Sequence, residues 1–248
     1  MRQGLSDDLL NVIFECSRRR GVSHIVEAVR QSLLLRFVPE NIGLNAITRQ
    51  NYIQRHVTAF SNRLYNDDPQ VQVVILYIDG TNSYCHKSTN FRSLRQTYCR
   101  HKGDHLVKLA LIVAPDGYIL DIHGPYFSDA PNNDSGIMAK KLKDDQALND
   151  YLRPGDIVIV DRGYRDVITL LEDRGLICKM PPLLQAGESQ LSTEDANEAR
   201  IIRKTRWIVE ARNGHLKSIF KLLGHVQMIH TLPYLGELYR IAGAIINK

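Results

Sequence analysis

No apolar run in this 248-residue sequence approaches the ~20 residues that a membrane-spanning helix needs. The first residues do not read as a secretory leader either, because Asp7 and Asp8 interrupt the apolar stretch such a leader requires. Cysteine is scarce. Cys16, Cys85, Cys99 and Cys178 include no Cys-x-x-Cys pair, which argues against a disulfide framework and for a reducing, intracellular setting. Cys85, His86, Cys99, His101 and His105 crowd together but match no structural zinc spacing.

Acidic residues are missing from two stretches. From Tyr84 to Lys108 six Lys or Arg residues face one acid, Asp104, and from Arg200 to Lys221 seven face one, Glu210. Between these stretches the balance reverses, with eight aspartates from Asp116 to Asp156. Basic segments around an acidic middle fit a polyanion partner beside a cation-binding centre. An ordinary surface with uneven charge is the competing reading. With 44% hydrophobic residues, the chain is long enough to bury a core plus a small accessory unit.

Two runs read as strands buried on both faces. Ile157-Val158-Ile159-Val160 ends on Asp161-Arg162-Gly163-Tyr164, and Val71 to Ile78 ends on Asp79-Gly80-Thr81. A carboxylate closing a buried strand stands where open α/β sheets place their chemistry. Both sites also read plainly as turns, since Asp-Gly and Asp-x-Gly are turn sequences. Leu106 to Val113 and Tyr118 to Ile122 flank Pro115-Asp116-Gly117 and predict a hairpin, and Leu176 to Met180 predicts a further strand.

Helical periodicity fills the rest. Residues 4–37 form two pieces, the first opened by Ser6-Asp7-Asp8, the second carrying Ile25, Val26, Val29 and Leu33 on one face. The basic break between them, Arg18-Arg19-Arg20-Gly21, gives this segment the look of a helix-turn-helix whose arginines contact phosphate, with a packing hairpin as the alternative. One helix is expected over Thr48–Tyr65, and one over Gly136–Tyr151 with Asp134 at its N-cap. Residues 185–198 read as a loop leading to a helix over Ile201–Phe220. In that helix Ile202, Val209 and Leu216, with Leu223 beyond, form a core stripe at seven-residue spacing. Arg203, Arg206, Glu210, Asn213 and Lys217 share the adjacent polar face, either as a solvated row with pairs such as Arg206–Glu210 or as part of a site.

Four segments in order along the chain carry a resemblance. Ile78-Asp79-Gly80-Thr81, Asn132-Asn133-Asp134-Ser135, Val160-Asp161-Arg162-Gly163-Tyr164 and the run from Arg206 through Glu210 to Lys217 resemble the motifs of DDE-type nuclease domains. The nearest group is the PIF/Harbinger transposases and their domesticated relatives, the DDE superfamily endonucleases. The resemblance spans Val71 to Lys248, and the 48 residues between Asp161 and Glu210 are also similar to that group.

The resemblance implies an α/β, RNase H-like mixed sheet flanked by helices and preceded by a small N-terminal helix-turn-helix. The domains expected are a helix-turn-helix-like segment at 1–37, a helical connector at 38–70 and the nuclease domain at 71–248. It also implies that Asp79, Asp161 and Glu210 are a catalytic, metal-binding triad, with Asp134 as an accessory ligand or a loop cap. Three carboxylates in one cleft repel unless cations are present, and hard oxygen ligands suit Mg²⁺ or Mn²⁺. Two such ions ~3.5–4 Å apart would activate water or a DNA 3′-hydroxyl for in-line attack on a phosphodiester. The expected DNA contacts are Arg18, Arg19, Arg20, Lys87, Arg92, Arg95, Arg100, Lys102, Arg206 and Lys217, with Arg212 a weaker candidate. The partners expected are DNA, no membrane, and either a second copy of the chain or a separate DNA-binding protein. Nuclear residence is implied by the family, with the cytoplasm as the alternative and secretion not expected. The rival reading is a domesticated, catalytically silent module that binds DNA or protein.

Overall fold

A computed structural model describes residues 3–15, 19–184, 187 and 189–248, excepting the side chains of residues 19 and 20. Helix α1 (Asp7–Ile13) is capped by Ser6, which accepts from the Leu9 amide as its Ser-Asp-Asp run predicts. Helix α2 (Arg19–Ser32) includes Gly21, so the expected turn is shorter than its composition suggests, and a π-helical stretch (Leu33–Phe37) leads on to α3 (Val38–Asn41). Arg18 and the side chains of Arg19 and Arg20 lie outside the described residues. Of the one-faced stripe, Ile25, Val26 and Val29 are 57%, 45% and 53% exposed, and Leu33 packs against the core. α2 is held where Val22, at the start of that stripe, and Arg30 are buried, and Arg30 pairs with Glu237.

Two short helices, α4 (Arg49–His56) and α5 (Ala59–Tyr65), replace the single helix expected over 48–65. Val57 is extended, and Thr58 caps α5 by accepting from the Ser61 amide, just as Thr48 caps α4. A second cap inside an amphipathic run ends one helix and starts another. These helices are not a loose connector. Tyr52 is fully buried with its hydroxyl donating to the Ile75 carbonyl at 2.9 Å, and Tyr65 is bonded to Thr205.

The centre is a mixed six-stranded sheet. Its strands are β1 (Ile75–Tyr84), β2 (Tyr98–Cys99), β3 (Asp104–Val113), β4 (Ile119–Phe127), β5 (Ile157–Ile159) and β6 (Ile177–Lys179). The order is β2-β3-β1-β5-β6, with β4 also on β3. β1, β3 and β4 are antiparallel, and the predicted hairpin at 115–117 joins β3 to β4. β1, β5 and β6 are parallel. One expectation is overturned here: Asp79-Gly80 makes no turn. β1 runs on to Tyr84, with Asp79 opposite Leu111 and Gly80 opposite Ala110, because β3 supplies ladder partners past the dipeptide.

Helices cover both faces. α6 (Phe91–Thr97) lies along β3, and α7 (Asp134–Asp144) and α8 (Gln146–Tyr151) replace the expected continuous helix. Asp145 breaks it by turning extended and capping α8 through the Leu148 amide. α9 (Ile168–Glu172) precedes β6. α10 (Thr193–Ile219) begins well before the sequence pattern suggests, because Ser192 caps it and Glu194 and Asp195 suit the positive end of its dipole. α11 (Lys221–Gly224) and α12 (Leu232–Asn247) complete the chain. The expected stripe is borne out: Ile202, Val209, Leu216 and Leu223 are all buried. Among the described residues, no helix is long and apolar enough to cross a membrane.

Candidate active site

Strand alternation decides where the carboxylates go. Ile75 and Tyr77 of β1 join the core formed with α10 and α12, whereas Val74, Leu76 and Ile78 join the opposite core with α7 and α8. Asp79 has the parity of Ile75 and Tyr77 and so faces α10. On β5, Ile157 and Ile159 face α10 and Val158 and Val160 face away, which gives Asp161 the α10 face as well. Tyr77 pairs with Ile159 in the parallel ladder, and Asp79 and Asp161 each stand two residues further on. The two aspartates are therefore neighbours across adjacent strands.

Arg206 of α10 lies between them. Its Nη2 donates to Asp79 Oδ1 at 2.9 Å and stands 3.7 Å from Asp161 Oδ2, with only 8% of its side chain exposed. This corrects the picture of a solvated cation row. The i,i+4 partner considered for it, Glu210, is exposed, and among the described residues it makes no hydrogen bond or ion pair. Asn213, one turn further on, instead donates to Asp79 Oδ2 at 3.3 Å. Lys217 is half-buried and donates to the Asn82 carbonyl at 2.8 Å.

Asp134 reaches the same place from the other face. The N-cap of α7 is Asn133, which accepts from the Gly136 amide, so Asp134 is not the cap and its carboxylate is free to point at the sheet. It fits because two positions carry no side chain. A Cβ at Gly80 would stand 3.1 Å from Asp134 Oδ1, and one at Gly163 would stand 2.8 Å from Asp134 Oδ2 and 2.9 Å from Asp161 Oδ1. The glycines of the Asp-Gly and Asp-Arg-Gly segments thus make room for a third carboxylate. Asp161 also keeps its turn role, accepting from the Gly163 amide at 2.8 Å, while Ser135 donates to the Gly163 carbonyl at 2.8 Å.

The electrostatics follow from this crowding. Burial pushes the Asp79 carboxyl up to about 6; Arg206 opposes the shift, and Asp161, Glu210 and Asp134 add to it. Burial also raises Asp134, against the pull of Lys108, and Asp161 raises it further. Burial lowers Lys217. Tyr164 is 1% exposed and feels the charges of Asp134, Asp79 and Asp161, yet its hydroxyl has no hydrogen-bond partner among the described residues. Arg206 Nε and Asn213 Oδ1 are likewise enclosed and unpartnered.

The other expected contacts lie apart. Lys87, Arg92, Arg95, Arg100 and Lys102 are all exposed on or around α6. Arg212 is half-buried, and its guanidinium lies over Gly117 of the β3–β4 turn. Sequence reasoning did not reach Lys108 as a neighbour of the carboxylates, and it set Asn213 on the polar face without naming Asp79 as its partner. Asn213 shares the polar face of Glu210, and Lys108 has the strand parity of Ala110 and Ile112, but neither pattern says which partner each side chain meets.

Residues 78–247 match the family described as DDE superfamily endonuclease. The chain belongs to that family. No curated protein and no solved structure matches it. Nucleases of the DDE superfamily generally use divalent metals, and the donor set here is chemically suitable: carboxylate oxygens, the unpartnered Asn213 Oδ1 and an unpartnered phenol. Among the described residues, no three His, Cys, Asp or Glu side chains are gathered closely enough to form a ready metal cage. The cation shared by Asp79 and Asp161 is Arg206.

Proposed function

We propose that this DDE endonuclease domain is a divalent-metal-dependent DNA nuclease of transposase type, with an RNase H-like arrangement of sheet and helices. Asp79, Asp161 and Glu210 are its metal-holding carboxylates, and Asp134 adds a fourth. The observation that carries the reading is the meeting of Asp79, Asp161 and Asp134 just past the end of the parallel β1–β5 ladder, with α10 laid across it.

Mg²⁺ or Mn²⁺, two ions in the family's usual chemistry, would supply Lewis acidity and an activated water or DNA 3′-hydroxyl. The chain's own residues hold and orient. The Gly163 amide fixes the Asp161 carboxylate, Asn213 holds one oxygen of Asp79, and Arg206 balances the charge on the other when no metal is bound. Half-buried Lys217, two turns beyond Glu210, and the exposed cations around α6 bind backbone phosphate. Arg18, Arg19 and Arg20 would add phosphate contacts if the N-terminal segment docks on DNA as a helix-turn-helix. Nuclear residence belongs to the same proposal.

The exposed Glu210 and the seated Arg206 favour one alternative, a domesticated module that binds DNA without cutting it. Nicking of supercoiled plasmid with Mg²⁺ or Mn²⁺, with and without EDTA, separates the two. The nuclease reading expects metal-dependent nicking that falls at least 100-fold in Asp161→Asn, in line with the loss of a metal-positioning carboxylate. Salt-sensitive DNA binding without nicking would establish the silent module instead.

A further inference from the structure

An unassigned recess lies beside α6. Phe91, in the first turn of this helix, is 75% exposed, and the recess of about 380 Å³ beside it is lined by Lys87, Phe91, Leu94, Arg95, Tyr98 and His105. Its far wall is built: the Tyr98 and His105 rings stand 5.3 Å apart, and His105 Nδ1 is held 3.0 Å from the Thr97 hydroxyl. Arg92 and Arg95 line a second recess on the other flank of Phe91, together with Asp129 and Ala130. The phenyl ring is therefore a ridge between two hollows. Among the described residues, none of Lys87, Arg92, Arg95, Arg100 and Lys102 makes an ion pair.

Aromatic walls with a cationic rim have the chemistry of a nucleotide site, a π-face for a base and charge for its phosphates. Paired bases in a duplex are already stacked on one another and offer no free face, so the matching occupant is unpaired. The surface also leads to the acidic cluster. The Gln96 carbonyl of α6 accepts from the Ser128 amide at 2.9 Å, and the segment from Ser128 runs directly into Asp134.

We propose that this recess binds one unpaired nucleobase of the DNA substrate, stacked on Phe91, with Lys87 and Arg95 on the flanking phosphates. This rests on the DNA-nuclease reading above and adds that the strand is single where it crosses α6. The test uses the full chain carrying Asp161→Asn, in EDTA so that cutting cannot interfere. Fluorescence anisotropy compares a blunt duplex with the same duplex bearing a 5′ or 3′ single-stranded extension that contains 2-aminopurine. One of the extended duplexes is expected to bind about tenfold more tightly, the effect of one base on one aromatic ring, with the 2-aminopurine emission quenched. Phe91→Ala should erase that preference and the quench while leaving blunt-duplex binding within about twofold; Phe91→Trp should keep both. Equal binding of blunt and extended DNA, or a preference that survives Phe91→Ala, overturns the assignment and leaves the nuclease reading standing. Failure to bind any DNA overturns both.

Discussion

At the residue scale, Asp79 and His123 set opposing pH dependences. Burial raises Asp79 from its ordinary 3.8 to about 6, so its contribution to stability is fully present below pH 3.8 and is lost as pH climbs through about 6. His123 is the reverse case. Its Nε2 is enclosed without a partner, and burial depresses the imidazole from 6.5 to about 4, helped by Lys141. Its contribution is present above pH 6.5 and is lost as pH falls through about 4. The two slopes oppose each other over nearly the same window. Thermal melts in the absence of metal should show this by difference. Relative to wild type, Asp79→Asn gains stability as pH rises from 4 to 7, by on the order of 3 kcal/mol, and His123→Gln gains it as pH falls over that range. A pH-independent offset for either variant would remove that residue from the account. Arg206 makes a second prediction, because its guanidinium is the charge that pairs with Asp79 and stands beside Asp161. Arg206→Gln should melt lower than wild type without metal and bind Mn²⁺ several-fold more tightly in a calorimetric titration, since the charge competing for the two aspartates is gone. Weaker Mn²⁺ binding would mean that Arg206 organises the carboxylates rather than competing for them.

At the scale of elements, the legible parts were those whose hydrophobic period is decided by one neighbour. The buried strand ending at Asp161, the hairpin at 115–117 and the seven-residue stripe of α10 could be read directly. Four boundaries could not, each for a physical reason. Asp79-Gly80 has turn propensity, but β3 offers it a ladder. Thr58 and Asp145 each cap a new helix inside a run whose periodicity reads as continuous. The polar residues before Glu198 form exposed helical turns held by Ser192, where no apolar pattern exists to be read. The candidate site divides the same way. Asp161 is legible as a strand-closing carboxylate, Asp79 as a carboxylate after a buried run although β1 continues past it, and Asp134 through its motif. The roles of Arg206, Asn213 and the two glycines depend on contacts between distant segments. So does the pair of Arg49 and Asp156. Asp156 is wholly buried, accepts from the Val74 and Arg153 amides at 2.8 and 2.7 Å, and pairs with Arg49, tying α4 to the start of both β1 and β5. Asp156→Ala leaves a largely buried cation and two amides without their acceptor, and should cost about 3–5 kcal/mol by denaturant melt. A cost under ~1 kcal/mol would show that water replaces the carboxylate there.

At the scale of the whole molecule, the sheet separates two cores, and the segment expected to be a connector contributes to both. Val38, Ile42 and Tyr65 pack in the core beneath α10 and α12, while Ile47 and Tyr52 pack in the other. Both cores therefore include residues upstream of the part that matches the family. A fragment of residues 71–248 should lose cooperative unfolding and bind a hydrophobic dye, whereas removal of residues 1–15 should change stability by less than about 1 kcal/mol, because α1 buries none of its residues. A sharp, reversible melt from the 71–248 fragment would return residues 38–70 to the status of a linker.

The neighbouring placement of Asp79 and Asp161 also divides the acidic cluster into a fixed and an adjustable jaw. Their strands are spaced by the backbone, about 4.8 Å apart where Tyr77 pairs with Ile159, two residues before each aspartate. Glu210 stands on a helix whose position is gauged by Ile202, Val209 and Leu216, side chains that can repack. With Glu210 as its third carboxylate, the proposed site would work as a caliper: its anvil is cut into the sheet, and its opening is set by how α10 beds on the core.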